Sequence, residues 1–317
     1  MADEDRFSVD AGPGDGSGGG LLSAFAGREP PAPDWFKAAL AIEPERRFVA
    51  VDGANIEVLT WGQRGKPGLV FLHGNGAHAD WWSFIAPYFA ADWRVVALTW
   101  SGMGSSDWRS TYKAASYARE ALAVIDAAGL AESPVPPVVV AHSFGGFIGL
   151  RLAAHHGDRL RGVAIVDAAI NPPGVVGDGP PTRHRPNRVY PTFEAALARF
   201  RLVPIQSCEN LFAVDYIARR SIKKVDDGYT WKFDPFLWRD FDLTDLSALL
   251  REPKCPLALV WGANSSLVTP EVAAYMAATA PPGSPLLEIP GADHHVMLDQ
   301  PLAFVAGLRG LLARWPG

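Results

Sequence analysis

Ser143 is the residue of this sequence best placed to act as a nucleophile. It lies in the run Ala-His-Ser-Phe-Gly-Gly at residues 141–146, where a predicted apolar strand turns sharply into an apolar helix. A serine on such a strained turn needs small neighbours two positions before and after it, and Ala141 and Gly145 meet that need. The pattern predicts an exposed nucleophile, although a capping serine on a tight strand–helix turn has the same local sequence.

A second segment, Leu-His-Gly-Asn-Gly at residues 72–76, directly follows another predicted strand. Its glycines, Gly74 among them, allow the backbone to approach a substrate carbonyl closely. Attack on that carbonyl develops a negative charge that preorganised N–H donors stabilise, by about 3 kcal/mol for each donor. We assign the donors to the backbone N–H groups of Asn75 and Phe144. Because glycine-rich turns are common, this segment alone is only supporting evidence.

A base must take the proton of a serine before its hydroxyl attacks well, and histidine titrates in the useful range. The sequence has eight histidines, but only His294 and His295 fall late in the chain on a loop after a predicted strand. That position matches the chain order nucleophile, acid, base. His73 and His142 belong to the two turns already described. The residues alone therefore predict His294 or His295 as the base.

Short apolar or alternating runs predict the strands that position these segments. The runs lie at residues 47–51, 56–61, 69–72, 95–98, 138–141, 162–166, 257–260 and 286–289. Helical patterns fill 117–128, 144–155, 270–280 and 301–312. This alternation predicts an α/β fold, with a mostly parallel sheet that carries helices on both faces.

Residues 169–250 interrupt the alternation. They contain no buried-strand run, but they include Pro- and Gly-rich stretches and helical candidates at 193–200 and 210–222. We predict that they form a helical cap over a core made of residues 31–168 and 251–317. Residues 1–30 are predicted to be a disordered tail, because the Gly-rich segment at 11–20 cannot bury enough apolar surface to offset its ordering entropy.

These features together resemble the α/β-hydrolase superfamily over residues 46–314, especially its lidded esterases, epoxide-hydrolase-like enzymes and meta-cleavage-product hydrolases. The resemblance implies an eight-stranded, mostly parallel sheet with the helical cap inserted after the sixth strand. It also implies that the base precedes a Gln-Pro or similar proline by seven residues, and counting back from Pro301 selects His294. A serine nucleophile disfavours the epoxide hydrolases and dehalogenases, which use aspartate.

The sequence departs from this family at the acid that orients the base. The family usually carries aspartate after the seventh strand in a Gly-x-x-Asp segment, whereas this chain has Gly-Ala-Asn-Ser at residues 262–265. A neutral serine cannot stabilise the imidazolium that forms during attack. Asp167, at the end of the preceding strand, is the predicted replacement, since some family members place the acid there. Asp293 and neutral hydrogen bonds from Asn264 or Ser265 are the alternatives.

The resulting functional prediction is an esterase-like hydrolase in which Ser143 attacks an acyl carbon, His294 transfers the proton and Asp167 holds the histidine. Hydrolysis of a C–C bond in a ring-cleavage product or diketone needs the same residues, as does acyl transfer. A ligand-binding protein on a hydrolase scaffold is the alternative from another class, and the missing strand-seven aspartate is its support.

Aromatic residues near these motifs favour a small hydrophobic or ring-containing substrate. The residues predicted to contact it are Gly74, His142, Trp81, Trp82, Trp100 and Trp231. Arginines of the predicted cap could recognise a carboxylate, although solvated cations are the simpler interpretation. They are Arg183, Arg185, Arg188, Arg199 and Arg201.

The bulk composition is that of an ordinary water-soluble enzyme. A net charge of −5 gives no electrostatic footprint for nucleic acid. No run approaches the ~18 apolar residues of a membrane helix, and the acidic start of the chain is unlike a signal peptide. Cys208 and Cys255 are too few for a disulfide framework. We expect a cytoplasmic protein with a small-molecule substrate and no metal or cofactor; the oligomeric state is left open.

Overall fold

The computed structural model describes residues 20–175, 183–242 and 245–315. It contains ten strands. They are β1 (Glu45–Val51), β2 (Ala54–Trp61), β3 (Gly68–Leu72), β4 (Arg94–Leu98), β5 (Val138–His142), β6 (Gly162–Val166), β7 (Ile222–Val225), β8 (Gly228–Trp231), β9 (Leu257–Gly262) and β10 (Leu286–Ile289). The predicted strand runs all lie within or coincide with strands of this set.

Eight of these strands form one sheet in the order β1-β2-β4-β3-β5-β6-β9-β10. Strand β2 runs antiparallel to β1 and β4, and the pairs from β4 to β10 are parallel. The carboxyl ends of β3, β5, β6 and β9 therefore meet at one edge of the sheet. The predicted α/β fold with an eight-stranded, mostly parallel sheet is confirmed.

Nine α-helices are described, six of which were predicted from the sequence to within three residues at either end. The helices are α1 (Asp34–Leu40), α2 (Ala114–Ala127), α3 (Phe144–His156), α4 (Phe193–Leu197), α5 (Leu211–Arg220), α6 (Leu246–Arg251), α7 (Pro270–Thr279), α8 (Val296–Asp299) and α9 (Pro301–Leu312). Within residues 20–175, 183–242 and 245–315, no helix is long and apolar enough to cross a membrane.

The central strands β3, β4, β5 and β6 are buried along their whole length, which explains why they are mostly apolar. Along β3, Leu69 and Phe71 belong to one hydrophobic cluster, while Val70 and Leu72 belong to the other. Successive side chains of a strand point to opposite faces, so a strand between two cores needs apolar residues throughout. Helices α1 and α9 contribute to the first cluster, and α2, α3 and α7 to the second.

Residues 169–250, which we call the insert, separate β6 from β9. Its helices α4 and α5 lie where helices were predicted. The insert is not purely helical as predicted, because β7 and β8 form an antiparallel hairpin around Asp226 and Asp227. The Asp-Asp-Gly turn is a hairpin signal, but the four-residue strands that flank it are too short and too polar to stand out in the sequence. Residues 176–182 and 243–244 of the insert lie outside the described residues.

The predicted tail divides at residue 20. Residues 1–19 lie outside the described residues, whereas residues 20–30 pack against the insert. Leu22 is only 2% exposed, the Gly20 N–H donates to the Ala198 carbonyl at 3.1 Å, and Arg219 donates to the Gly27 carbonyl at 2.7 Å. The prediction of disorder is therefore wrong for residues 20–30, because apolar side chains after the glycine run bury against α4 and its surroundings.

Candidate active site

Ser143 stands on the turn between β5 and α3 with φ 52° and ψ −121°. A non-glycine residue rarely adopts positive φ, so this turn stores backbone strain. The strain persists because α3 begins very close to neighbouring strands: a Cβ atom at Gly145 would lie 2.7 Å from the His73 carbonyl oxygen, and one at Gly146 would lie 2.5 Å from the Ala168 Cβ. The glycines therefore let the helix pack tightly enough to lift the serine above the sheet edge.

Three side chains from three sheet-edge loops form one chain of hydrogen bonds. The Ser143 Oγ lies 3.0 Å from His294 Nε2, and His294 Nδ1 lies 2.8 Å from Asp167 Oδ1. His294 and Asp167 are 2% and 0% exposed, so little water competes for these bonds. With Nδ1–H donating to the carboxylate, Nε2 is free to accept the serine proton, which is the arrangement required for nucleophilic attack.

The alternative candidates for the base and the acid do not lie in the hydrogen-bonded chain that contains Ser143. His295 directs its Nδ1 to Gln206 Oε1 at 2.6 Å, and burial holds its pKa well below the usual value. Asp293 is half-buried, and its backbone N–H donates to Asp299 Oδ2 at 2.9 Å. Asn264 is exposed on the surface. The structure thus places His294 and Asp167, rather than these residues, in line with Ser143.

Asp167 is buried, yet its carboxylate is fully engaged by donors. Besides His294, the Ser265 hydroxyl donates to Oδ1 at 2.7 Å, and the Gly262 N–H donates to Oδ2 at 2.9 Å. These bonds offset the cost of burying a charge. Ser265 occupies the position at which the family usually has its aspartate, and its hydroxyl donates to a carboxylate that follows the neighbouring strand, β6. The sequence suggests Ser265 only as a neutral replacement for the acid, and this supporting contact becomes visible only in the folded protein.

We expect Ser265→Ala to lower kcat about tenfold with little change in KM, because a hydrogen bond to a charged group is worth about 1.5–3 kcal/mol. The Ser265 Oγ also accepts from the N–H of Val268 at 3.0 Å. The alanine change removes this bond too, so a control is needed to separate its effect from the lost bond to Asp167. Ser265→Thr, which keeps the hydroxyl, is that control and should retain most of the activity. Steady-state kinetics of both variants measure the effect, and equal losses in the two would refute a positioning role for the hydroxyl.

The loop after β3 lies directly against the serine turn. A Cβ atom at Gly74 would lie 3.1 Å from the Ser143 Cβ, so the predicted donor loop and the nucleophile are in contact. Phe144 is the first residue of α3, and N–H groups in the first helical turn have no partner within the helix. The Asn75 side chain accepts from Trp238 Nε1 of the insert at 3.2 Å. Asn75 and Phe144 therefore adjoin this contact, one on the loop after β3 and the other on the serine turn.

Two buried histidines, His73 and His142, form hydrogen bonds with the backbone around the serine turn. His142, 2% exposed, lies with its Nε2 3.0 Å from the His294 carbonyl, and burial holds its pKa well below the usual value. His73 accepts the Trp100 N–H at Nε2, and burial lowers its pKa to about 3. Both rings are therefore neutral. The prediction that His142 contacts substrate is replaced by a role in holding the backbone of His294.

The predicted substrate-contacting tryptophans separate into two groups. Trp82 and Trp100 are fully buried: the Trp82 ring stacks on Phe71 at 4.7 Å, and the Trp100 indole donates to the His73 carbonyl at 3.0 Å. These two are core residues, so their predicted contact with substrate is wrong. Trp82 lies in the segment after β3 and Trp100 directly follows β4, but tertiary packing turns both rings into the core.

Trp81 and Trp231 line a pocket between the loop after β3 and the insert. Its wall includes Asn75 and His295, which adjoin the serine turn and the base, but neither Ser143 nor His294 themselves. The pocket therefore opens beside the three hydrogen-bonded side chains. Aromatic residues supply much of its apolar wall, and they are Trp81, Tyr190, Phe200, Trp231 and Phe233. Arginines of the insert also line it, although solvated cations were the simpler interpretation of these residues from the sequence.

A second serine and histidine in this region differ from the first pair in their hydrogen bonds. The Ser221 Oγ lies 3.1 Å from His78 Nε2, but its hydroxyl donates to the Ile217 carbonyl at 2.8 Å. His78 Nε2 also lies 3.2 Å from that carbonyl, so it acts as a donor there and cannot accept the serine proton. Ser221 is consequently a helix-terminal serine of α5 and not an activated one.

Neither a metal cluster nor a reactive thiol is evident in the part of the chain that the structure describes. No group of three or more His, Cys, Asp or Glu side chains in those ranges is arranged to hold a metal ion. Cys208 and Cys255 are free, and burial raises their thiol pKa values to about 12 and about 11.

The chain is similar in sequence and in fold to known proteins. A sequence model of the alpha/beta hydrolase family matches residues 69–308. Esterase Rv0045c of Mycobacterium tuberculosis is 28% identical over 287 residues, which cover 83% of this chain and 88% of that protein. A pimeloyl-(acyl-carrier protein) methyl ester esterase of Edwardsiella ictaluri is 26% identical over 253 residues, covering 77% and 92%. The crystal structure of Rv0045c superposes with a TM-score of 0.65 at 23% identity, covering 99% of each chain, and so supports the fold.

Proposed function

We propose, from the premise that this chain belongs to the alpha/beta hydrolase family, that it is a serine hydrolase that cleaves a carboxylic ester of a small hydrophobic or aromatic molecule. The observation that carries the proposal is the continuous hydrogen-bonded chain from Ser143 through His294 to Asp167. Relatives named as esterases, each matched over most of its length, support an ester as the bond that is cleaved.

In the proposed mechanism the Ser143 oxygen attacks the ester carbonyl while its proton moves to His294 Nε2. The resulting imidazolium is stabilised by Asp167, and the tetrahedral oxyanion by the N–H groups of Asn75 and Phe144. Collapse expels the alcohol, which takes the proton from His294, and leaves an acyl group on Ser143. Water then attacks the acyl-enzyme, with His294 again as base, to release the acid.

The insert acts as a cap in this proposal. Trp238 of the insert donates to the Asn75 side chain and its ring packs on Phe144 at 5.3 Å, so the insert contacts both residues that carry the proposed oxyanion donors. Its aromatic side chains form the pocket wall opposite Trp81. Burial of an apolar substrate there would bring its ester beside the serine and exclude water from the charges that develop.

The ligand-binding alternative depended on the missing strand-seven aspartate. Asp167 weakens that argument, because it lies within hydrogen-bonding distance of the base and is itself supported by Ser265. Hydrolysis of a C–C bond needs the same three residues, but no contact in the pocket specifically favours a diketone over an ester. Ester hydrolysis is thus the function that we propose.

The test is intact mass spectrometry after exposure to a fluorophosphonate, together with turnover of p-nitrophenyl butyrate. We expect a single stoichiometric adduct and ester hydrolysis that the adduct abolishes. A folded protein that forms no adduct and cleaves no ester would contradict the proposal and bring the ligand-binding alternative forward. Cleavage of a diketone but of no ester would favour the C–C hydrolase instead.

A further inference from the structure

The pocket beside Ser143 is strongly cationic as well as aromatic. Four arginines of the insert line it, together with one acidic residue of the described part of the chain, Asp234. The arginines are Arg183, Arg188, Arg199 and Arg201. A purely apolar substrate gives no reason for this concentration of positive charge in a cavity, since a half-buried guanidinium loses part of its hydration.

Asp234 does not pair with Arg199 or Arg201 in any described contact. Asp234 accepts the Tyr112 hydroxyl at Oδ2, 2.8 Å away, and the Phe236 N–H at Oδ1, 2.9 Å away. Both of its oxygens are therefore engaged by neutral donors. Arg199 and Arg201 are half-buried, and among the described residues neither forms an ion pair with a carboxylate.

Two other half-buried arginines of the same protein behave differently. Arg219 pairs with Asp215 at 2.6 Å. Arg109 likewise pairs with Glu120, at 3.0 Å. Arg109 and Arg219 therefore have carboxylate partners, whereas Arg199 and Arg201 line a cavity and have none among the described residues.

We propose that this pocket binds an anionic group of the substrate, so that the ester cleaved at Ser143 carries a second, charged end, a carboxylate or a phosphate. The inference rests on the proposed function and adds the substrate class. A guanidinium presents N–H donors in a planar fork that matches either anion. The aromatic wall would hold the apolar part of the molecule between the ester and the anion, and Asn75 and His295 mark the end of the pocket nearest the reaction.

Matched substrates test the charge without changing the shape. The p-nitrophenyl monoester of adipic acid carries a free carboxylate, and the corresponding adipamic ester replaces it with a neutral amide of the same size. We expect kcat/KM to be about tenfold or more higher for the adipate ester, as a charge-assisted hydrogen bond predicts. The p-nitrophenyl ester of 5-phosphonopentanoic acid distinguishes the two anions: a further gain with it would identify phosphate as the preferred group.

Arginine variants locate the effect in the pocket. Arg199→Gln and Arg201→Gln should each bring the ratio of the two kcat/KM values towards one, mainly through KM for the adipate ester. Arg185→Gln is the matched control, because Arg185 is an exposed arginine of the same insert that does not line the pocket. The control should leave the ratio unchanged, and an equal loss in all three variants would point to a general effect of surface charge and overturn the proposal.

Binding to Ser143→Ala separates this inference from the proposed function. Calorimetric titration of that variant with monomethyl adipate and with methyl adipamate needs no turnover. Tighter binding of the carboxylate, lost in the Arg199→Gln background, would support the anion site even if no ester were cleaved. Efficient hydrolysis of neutral esters without any preference for the anion, in kinetics or in titration, would refute the anion site and leave the esterase proposal standing.

Discussion

Replacing Ser143 with alanine should abolish ester cleavage while leaving the protein folded. Loss of the nucleophile from such a hydrogen-bonded set costs about 10⁶-fold in kcat in a serine protease, because the remaining groups have nothing to activate. The hydroxyl contributes only its bond to His294 among the described contacts of this side chain. We therefore expect an unchanged circular dichroism spectrum, a melting temperature close to that of the wild type and no fluorophosphonate adduct.

Ser221→Ala is the internal control for this result. Ser221 also lies next to a histidine, but its hydroxyl proton is engaged by the Ile217 carbonyl. The Ser221 variant should still be labelled by the fluorophosphonate on a single site. Labelling that persists in Ser143→Ala but disappears in Ser221→Ala would reverse the assignment and place the activated serine in the insert.

Much of the fold follows from local patterns in the sequence. The central strands of the main sheet are visible because a strand buried on both faces must be apolar along most of its length, as β3 and β5 are. The edge of the sheet that carries chemistry is also predictable, since the loops after parallel strands meet there. Ser143, His294 and Asp167 could be proposed together for that reason, although a family resemblance was needed to choose His294 over His295.

Side-chain direction and the insert were harder to predict. Trp82 and Trp100 follow the expected loops, yet both are turned into the core, and that direction depends on partners far away in the sequence. The hairpin of the insert has strands of four residues, which give too little periodicity to recognise. The arginines of the pocket are spread over residues 183–201, and only the fold of the insert brings them to one cavity.

Ser265 illustrates a different difficulty. Its position matches that of the usual family aspartate, so the sequence suggested either a lost acid or a neutral substitute. The structure places its hydroxyl 2.7 Å from the Asp167 carboxylate instead. Compared with the family pattern, this is an exchange between the ends of neighbouring strands: the carboxylate that bonds His294 follows β6, and the residue after β9 donates to it. Such an exchange is invisible when each position is considered alone.

Asp167→Asn should lower kcat by about 10⁴-fold, the loss that the analogous change causes in a serine protease. An amide cannot stabilise the imidazolium, and it can hold His294 in the tautomer whose Nε2 carries a proton and cannot accept another. Steady-state kinetics with a p-nitrophenyl ester measure the loss. Asp293→Asn, which changes the neighbouring carboxylate of the same loop as the base, is the matched control and should retain most of the activity.

The exchange between Asp167 and Ser265 makes a sharper test available. Because the Ser265 oxygen lies close to the carboxylate oxygen that bonds His294, an aspartate at 265 can bring a carboxylate near His294 Nδ1. We expect Ser265→Asp to raise the activity of the Asp167→Asn variant by about tenfold or more.

In the wild-type background the same Ser265→Asp change should instead be harmful, since two carboxylates would crowd one buried site and repel each other. Opposite effects in the two backgrounds would identify the carboxylate at His294, and not the packing of residue 167, as the feature that catalysis needs. A loss of less than about threefold in Asp167→Asn would contradict the assignment and return attention to Asp293.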